Sequence, residues 1–594
     1  MKKNLIALSV AAMVGGLGLS TGAHADVVPG AAVAQQFTGD GIGHALLIPY
    51  YTVQNGNVSI FSIINTDTVN GKAVKIRFRG ASNSDDVFDF QVYMSPGDVF
   101  TGAVSQGAGG TAQFTTADNS CTLPASVNQS FVTTRLSAAE QVGGAGTREG
   151  YIEIFTMADI EPTEATTGPT GTDINLDADE LDANPLFTAI KHVDGVAPCG
   201  LASGALATKL STNTDAAITL ADTAGNNANA HVKGLDFPTA SLVGGWTIIN
   251  VDEALSFSGN ATTVIATDGA AAPSAAAGNI VFWPQRDFTV GGTSEVALAL
   301  DIGGNPAINA FSADPLLKLG GTAAGITAGG VEPRAYDLPD MSTPYIVYSA
   351  ATAGASTAPG AAAGRAVAPW EQAFSLTGAL AVTTITNEYA TDADIAAASD
   401  WTFSMPSRRY NTAVRYLGTG APRAVYTDFE DGTFGDGVFA AAIGGDTFAV
   451  ATDALGDVFN YFTPTNTDLS GTQLCVLNVS QAAFDREETS LDAPTDFVIS
   501  PSTPGDPVAF CGEASVLSFN AGGTSSASVL GAALARQDID VTFTNGYAVL
   551  GTPGLTTKGL PVTGAFFLKA VNPLTAAGTA ANYGASWAHR VTRP

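Results

Sequence analysis

The sequence predicts a mostly β protein made of antiparallel β-sandwich domains, with long loops rich in Gly, Ala and Thr and few short helices. Three observations favour this fold class. Apolar or alternating runs of strand length recur along most of the chain, turn residues separate them, and helical periodicity is scarce. Hydrophobic residues make up 45% of the 594 residues and charged residues only 13%, which is typical of a folded chain.

Residues 1–25 resemble a secretory signal peptide. Two lysines precede the apolar run LIALSVAAMVGGLGL, and the residues AHA at 23–25 form a small-x-small cleavage site. A membrane anchor is the alternative, but the apolar run is short and glycines interrupt it. No later segment has the unbroken apolar run of about 20 residues that a transmembrane helix needs. We therefore expect an exported mature chain that begins at Asp26 and has no transmembrane span.

The chain is strongly acidic. Its formal charge is -30, and loss of Lys2 and Lys3 with the signal peptide makes it -32. Such a field repels nucleic acid and anionic lipid, and it favours solubility or the binding of divalent cations. The charge therefore predicts that nucleic acid is not a partner.

An N-terminal β domain is predicted over residues 26–160, with its core at residues 44–105. Five runs there, HALLIPYYTV, VSIFSIINTD, GKAVKIRFRG, VFDFQVYM and DVFTGAVS, are separated by turn signals. Asn55-Gly56 and Asn70-Gly71 favour tight hairpins, and Pro96-Gly97 suits a type II turn. The five runs are therefore expected to pair in order as an antiparallel meander.

The third run carries a stripe of cations. Lys75, Arg77 and Arg79 alternate with apolar residues, so one face of this strand is expected in the core and the other in water. Asp89 on the following strand can balance part of the charge by cross-strand pairing. An ordinary solvated face is one interpretation. The sharper hypothesis is a contact surface for an acidic neighbour, such as a second copy of the protein.

Three further regions follow the N-terminal domain. Residues 161–240 are predicted to be an acidic, loop-rich insertion, in which PLFTAIKHV is the best short helix candidate. Residues 241–420 are a second β region and a candidate for completing the first sandwich, and residues 421–594 are a C-terminal β region. Because no fixed-period repeat is visible, one sandwich with long insertions and several tandem sandwiches both stay open.

Four cysteines form an even set in a chain that is expected to be exported. An oxidising compartment favours two disulfides, for which three pairings exist. We favour the two pairs that are local in sequence, Cys121 with Cys199 and Cys475 with Cys511. A metal site is the alternative, but no two of these cysteines have CxxC spacing.

One acidic segment suggests a cation site. The alternating oxygen ligands that open a calcium loop are matched by Asp173, Asn175, Asp177 and Asp179. Ala178 stands where such a loop needs glycine, and Asn184 stands where it needs a bidentate glutamate. A solvated acidic loop is therefore the alternative, and calcium is the only cofactor that the sequence suggests.

No catalytic residue is predicted. The only G-x-S-x-G match, around Ser20, falls in the signal peptide, and the mature chain has no P-loop and no G-x-G-x-x-G after a strand. The remaining histidines are isolated, and His44 at a strand start is interpreted as a strand residue rather than a base. The tryptophans, with Tyr50 and Tyr51, are candidates for a sugar-stacking platform, although core packing is the favoured interpretation.

Several segments resemble a known group of proteins. LLIPYYTVQNGN, SIINTDTVNGKAVKIRFRGASNSDDVFDFQVYMSPGDVF, ITNEY and WTFSMPSRRY are similar to segments of exported, largely uncharacterised cell-surface proteins of Gram-negative bacteria. The resemblance is strongest over residues 42–105. It implies export and a surface setting, and it transfers no catalytic residue.

Two classes of function agree with these observations. The first is a non-enzymatic secreted structural protein of the cell surface, such as a surface-layer, matrix or filament subunit that associates with itself or with other cell-envelope components. The second is a secreted polysaccharide-binding module or hydrolase. Both would lie at the cell surface or outside the cell, with the periplasm as a further location. The sequence favours the first class, because divalent cations can bridge such acidic surfaces.

Overall fold

The computed structural model confirms the mostly β fold class. The residues that it describes are 32, 34–38, 41–133, 136–163, 183–199, 234–268, 275–278, 376–410, 412–415, 422–426, 461–462, 466–487, 508–521, 528–541, 543–552, 559–572 and 581–594. The predicted signal peptide lies outside the described residues, as do the four residues of the predicted calcium loop.

The first twelve strands of the described chain form two sheets that face each other. The seven-stranded sheet has the order β1-β12-β2-β9-β4-β5-β8, and the five-stranded sheet has the order β11-β10-β3-β6-β7. The strands are β1 (Ala34–Thr38), β2 (Ala45–Thr52), β3 (Asn57–Asn65), β4 (Gly71–Gly80), β5 (Asp86–Met94), β6 (Val99–Gln106), β7 (Ala112–Thr115), β8 (Cys121–Leu123), β9 (Glu149–Ile160), β10 (Leu242–Asn250), β11 (Leu255–Asn260) and β12 (Thr262–Thr267). We call this pair of sheets the first sandwich.

The later strands form a second sandwich and two small ribbons. A six-stranded sheet has the order β18-β19-β23-β14-β27, with β20 also paired to β19, and a five-stranded sheet has the order β22-β21-β15-β25-β26. The two-stranded ribbons are β13-β24 and β16-β17. The strands are β13 (Ala381–Val382), β14 (Thr384–Ala390), β15 (Ala398–Ser404), β16 (Thr412–Arg415), β17 (Arg423–Tyr426), β18 (Thr467–Ser470), β19 (Gln473–Asp485), β20 (Val508–Cys511), β21 (Ala514–Ala521), β22 (Arg536–Val541), β23 (Asn545–Gly551), β24 (Leu560–Pro561), β25 (Thr563–Val571), β26 (Asn582–Ala588) and β27 (Arg590–Thr592).

The helices among the described residues are short, as predicted. The α-helices are α1 (Ala138–Gln141) and α2 (Pro185–Ile190), residues 376–380 are also helical, and the 3-10 turns are Gln54–Gly56, Val142–Thr147, Ala393–Ile395 and Arg408–Tyr410. Helix α2 confirms the prediction from PLFTAIKHV. It begins with a proline, and the side chain of Asn184 accepts hydrogen bonds from the backbone N–H groups of Leu186 and Phe187. In the described part of the chain, no helix combines the length and the apolar character that a membrane crossing requires.

The predicted meander over residues 44–105 is wrong. Its strands β2, β4 and β5 lie in the seven-stranded sheet, whereas β3 and β6 lie in the other sheet, so only β4 and β5 pair as sequence neighbours. Two turns do have the predicted positive φ, since Asn55 lies at 53°, Gly56 at 77° and Gly97 at 72°. Turn residues reverse the chain, but they do not decide whether the next strand pairs alongside or crosses to the facing sheet.

Gly71 serves a different purpose from the hairpin turn that was predicted. It is the first residue of β4, and a Cβ there would lie 2.9 Å from the carbonyl oxygen of Met94. Glycine is needed at this position because neighbouring backbone approaches it closely.

Aromatic side chains fill the first sandwich. Phe78 on β4 lies at the centre of this cluster, as the alternation of its strand predicts. The ring centroids within 6 Å of it belong to Tyr51, Phe61, Phe88, Phe114 and Phe131. This packing explains why β4 has no exposed apolar face.

The two sandwiches pack against each other. Strands β21 and β25 of the second five-stranded sheet are buried on both faces, because Val516 and Phe567 join the core of the first sandwich while Leu517 and Phe566 join the core of the second. The ring of Phe567 lies 5.6 Å from that of Trp246 on β10. Strands from the 241–420 region therefore belong to both bodies: β10 to β12 lie in the first sandwich, and β14 and β15 lie in the second.

Candidate functional site

The predicted stripe of cations is buried. Lys75, Arg77 and Arg79 are 0%, 1% and 2% exposed, so the prediction of a solvated face is wrong. Alternation along a strand defines two faces, but it does not reveal whether a distant part of the chain covers the polar one. Asp89 does pair with the stripe as expected, with its Oδ2 2.9 Å from Lys75 Nζ. The stripe is therefore not a surface for a second molecule.

The Arg79 end of the stripe lies at the interface between the sandwiches. Glu153 on β9 accepts a hydrogen bond from Arg79 Nε at 3.2 Å, and its other oxygen accepts one from Arg409 of the second sandwich. Arg409 also donates to the hydroxyl of Tyr151 at 3.2 Å, and that hydroxyl lies 2.7 Å from Ser84 Oγ. One carboxylate thus bridges two guanidinium groups, each from a different sandwich.

Arg408, next to Arg409, adds further contacts between the two sandwiches. Arg408 pairs with Glu513 and donates to the carbonyl oxygens of Leu474 at 2.7 Å and Gly512 at 3.0 Å. The backbone N–H of Glu513 donates to the carbonyl oxygen of Ala81, in the turn between β4 and β5, at 2.7 Å. The residues of this interface cluster are Arg79, Ala81, Ser84, Tyr151, Glu153, Arg408, Arg409 and Glu513.

Burial changes the acid–base properties of the interface cluster and of the neighbouring Arg77. It raises the pKa of Glu513 above its ordinary value, although the nearby Arg408 and Arg409 oppose that rise. Burial also raises the pKa of Tyr151 well above its ordinary value. For Arg77, burial is the main cause of a lowered pKa, and the charge of Arg79 adds to it. Charges in such an environment hold protein segments together and are screened little by salt.

A second buried carboxylate, that of Glu149, binds a loop of the second sandwich by hydrogen bonds. Glu149, at the start of β9, is 0% exposed and accepts a hydrogen bond from the hydroxyl of Tyr50 at 3.0 Å. Its Oε1 also accepts from the backbone N–H groups of Ala533 at 2.8 Å and Leu534 at 3.2 Å. The first sandwich therefore supplies two buried glutamates, Glu149 and Glu153, that bind the second.

Segments that carry the resemblance meet here. The turn within GASNSDD and the segment WTFSMPSRRY lie in contact, since Arg408 Nη2 lies 3.4 Å from the carbonyl oxygen of Ser82. ITNEY does not join them, because it forms β14 in the six-stranded sheet. Sequence reasoning missed Glu153 and Glu513. A charged residue inside an apolar run, as in GYIEIF, is a signal that could have found the first.

Both disulfides have the predicted pairing, Cys121 with Cys199 and Cys475 with Cys511. Cys475 and Cys511 are register partners on β19 and β20. The other disulfide joins β8 to the segment that carries α2. Disulfides are typical of proteins from oxidising compartments.

A serine, a histidine and an aspartate meet near the first disulfide. Ser95 Oγ lies 3.0 Å from His192 Nδ1, and Asp98 Oδ2 lies 3.7 Å from the same nitrogen. In a catalytic triad the serine and the carboxylate bind opposite nitrogens of the imidazole. Here both approach Nδ1, so the arrangement is not that of a catalytic triad.

Most of the aromatic candidates pack in the cores. Tyr50, Tyr51, Trp246 and Trp401 are between 0% and 6% exposed, which confirms core packing for these four. Trp587 differs, because 36% of it is exposed. Trp283 and Trp370 lie outside the described residues. Among the described residues, no three His, Cys, Asp or Glu side chains are grouped so that they could hold a metal ion.

Two histidines have lowered pKa values, and of these His44 is fully buried. His44 Nε2 donates to the carbonyl oxygen of Pro238 at 3.1 Å, and its Nδ1 accepts from the N–H of Ala266 at 3.1 Å. Burial, aided by the charge of Lys72, lowers the pKa of His44 to about 3. Burial likewise lowers the pKa of His589 to about 4. These contacts agree with a structural role for His44, which lies in a bend immediately before β2 rather than in the strand itself.

The free energy of unfolding is expected to decrease as the pH is lowered below about 6.5, because of His44. In the unfolded chain its pKa is about 6.5, so between pH 6.5 and pH 3 the unfolded state binds a proton that the native state does not. Each pH unit in this window costs about 1.4 kcal/mol, or about 3 kcal/mol in total at pH 4. Urea unfolding at pH 7 and pH 4 measures the free energy of unfolding at each pH. The native chain should lose more of it on acidification than the His44→Gln variant, by about 3 kcal/mol.

The comparison with the His44→Gln variant isolates the contribution of His44 to the pH dependence of stability. Buried Asp236, whose pKa burial raises to about 6, acts in the opposite direction, because the native state then binds the extra proton as the pH falls. Both chains contain Asp236, so its effect cancels in the difference. An equal loss of stability on acidification in both chains would show that His44 can be protonated in the folded state.

Searches with family models, against curated proteins and against solved structures found no match to this chain.

Proposed function

We propose that the protein is a non-enzymatic structural component of the cell surface, exported and able to associate into a layer, matrix or filament. The interface cluster is the observation that carries the proposal. It joins Glu153 and Arg409, which are 256 positions apart, by a buried ion pair, and thereby holds two sandwiches in one arrangement. A subunit of an ordered assembly needs such a fixed shape, since repeated contacts require the same geometry in every copy.

Covalent and electrostatic features support the same role. The two disulfides suit a protein that works outside the reducing cytoplasm. The formal charge of -30 keeps separate copies apart, and divalent cations can bridge carboxylates of neighbouring copies. We therefore propose that association depends on calcium or a similar cation. Export and a surface location follow from the same proposal and from the resemblance to cell-surface proteins.

Electron microscopy of the purified mature chain tests this function. With millimolar calcium we expect ordered sheets or fibres, and with a chelator we expect them to disperse. Sodium chloride at the same ionic strength serves as the control, because general screening would disperse or assemble the protein without regard to the cation. Particles that remain monomeric in sedimentation at every calcium and protein concentration would contradict the proposal.

A further inference from the structure

Trp587 is held with part of its ring in solvent. It lies on β26, and its ring centroid is 4.3 Å from that of Phe566 on the neighbouring strand. The indole N–H donates to Asn387 Oδ1 at 2.7 Å, so the polar atom of the ring is already satisfied. The exposed 36% of the residue is therefore an apolar surface of fixed orientation.

Asn387 fixes the groups around this ring. It is fully buried, its Oδ1 also accepts from the backbone N–H of Glu388 at 3.1 Å, and its Nδ2 donates to His589 Nδ1 at 3.1 Å. His589 Nε2 in turn donates to the carbonyl oxygen of Thr402 at 2.9 Å. The side-chain amide of Asn387 thus orients the rings of Trp587 and His589 and the backbone of Glu388. These hydrogen bonds hold the surface around Trp587 rigid.

An ion pair lies beside the tryptophan. Arg590 Nη1 is 2.9 Å from Glu388 Oε1, and the two side chains are 61% and 47% exposed. Tyr547 is the register partner of Glu388 on the adjacent strand, is 37% exposed, and stacks on Phe484 with centroids 4.8 Å apart. We call Glu388, Tyr547, Trp587 and Arg590 the Trp587 platform.

We propose that the Trp587 platform binds a neutral polysaccharide. A sugar ring has an apolar C–H face and a rim of hydroxyl groups, so it fits an exposed aromatic ring flanked by one donor and one acceptor. Glu388 accepts from hydroxyl groups and Arg590 donates to them, and together they carry no net charge. The strongly acidic chain repels acidic polymers, which selects a neutral chain as the ligand.

This inference goes beyond self-association, and it supplies a means of retention at a glycan-covered surface. It does not depend on the proposed function, because an isolated copy carries the whole platform. The opposite face of β26 is occupied by the first sandwich, where Ser586 Oγ donates to the carbonyl oxygen of Ser258 at 2.7 Å. The platform is therefore on the side of this strand that the first sandwich leaves open.

Calorimetric titration with neutral hexasaccharides tests the inference. The ligands are cellohexaose, maltohexaose, mannohexaose and xylohexaose, and polygalacturonate is the acidic comparison. We expect at least one neutral ligand to bind by calorimetry and polygalacturonate not to bind. Trp587→Ala should weaken binding at least tenfold, and Trp587→Phe should retain most of it. Arg590→Ala should also weaken binding, whereas Arg536→Ala, which removes a partly exposed ion pair elsewhere, should not.

Two results would overturn the inference. One is the absence of binding to all four neutral ligands by the native chain. The other is binding that Trp587→Ala and Arg590→Ala leave unchanged. Circular dichroism of each variant checks the fold, and Arg590→Ala is the safer variant because exposed ion pairs contribute little to stability. If these variants instead abolish assembly without changing glycan binding, a second copy of the chain occupies the platform and the inference is also wrong.

Discussion

Replacing Arg409 with alanine is expected to lower the free energy of unfolding by about 3–5 kcal/mol. The change removes one of the guanidinium groups that neutralise Glu153, which is 1% exposed, and leaves the ion pair with Arg79 in place. A buried charge that loses a partner cannot recover its hydration in water. Guanidinium-induced unfolding followed by tryptophan fluorescence measures the loss, because Trp246 reports on the first sandwich and Trp401 on the second.

Arg536→Ala provides the matched control. Arg536 Nη2 lies 2.6 Å from Asp538 Oδ1, but these side chains are 22% and 47% exposed, and such pairs contribute up to about 1 kcal/mol. The same type of substitution is thus compared at a buried and at a partly exposed ion pair. Equal losses in the two variants would mean that the interface cluster does not hold the sandwiches together.

Removal of the disulfide between Cys121 and Cys199 is expected to cost about 4 kcal/mol. The bond closes a loop with a sequence separation of 78, and its loss lets the unfolded chain sample many more conformations. The variant replaces both cysteines with serine, so that no free thiol is left to form another disulfide. Thermal and denaturant unfolding of this variant and of the native chain measure the difference.

The second disulfide offers an internal comparison. Cys475 and Cys511 are only 36 positions apart, so loop entropy predicts a loss smaller by about 0.7 kcal/mol when they are replaced in the same way. A loss below 1 kcal/mol for the 121–199 variant would contradict the expectation. It would indicate that this disulfide restricts the unfolded chain far less than loop entropy predicts.

Local patterns predicted several features correctly. The segment PLFTAIKHV, predicted as the best short helix candidate, forms α2. Period-two alternation placed Phe78 in the core, and sequence proximity favoured the two disulfides that the structure contains. These features depend on residues close in sequence, or on a compartment whose chemistry the whole chain shares.

The candidate site was less predictable, since its members come from distant segments. Arg79, Glu153, Arg409 and Glu513 lie on separate strands and turns, and no spacing rule connects them. Likewise, nothing in the alternation around Trp587 distinguishes it from Trp401, although Trp401 is fully buried and Trp587 is 36% exposed. Exposure depends on which sheet edge is covered, and that is a property of the folded protein.

The sequence by itself determined the class of the fold and the positions of the five strands within residues 44–105, because side-chain period and turn chemistry act over a few residues. It favoured the observed pairing of the cysteines without determining it. Only the tertiary structure decided which strands share a sheet, that the cations of β4 are buried, and that Glu153 lies between Arg79 and Arg409. The reason is that these outcomes depend on packing and desolvation between segments hundreds of residues apart, which no local pattern records.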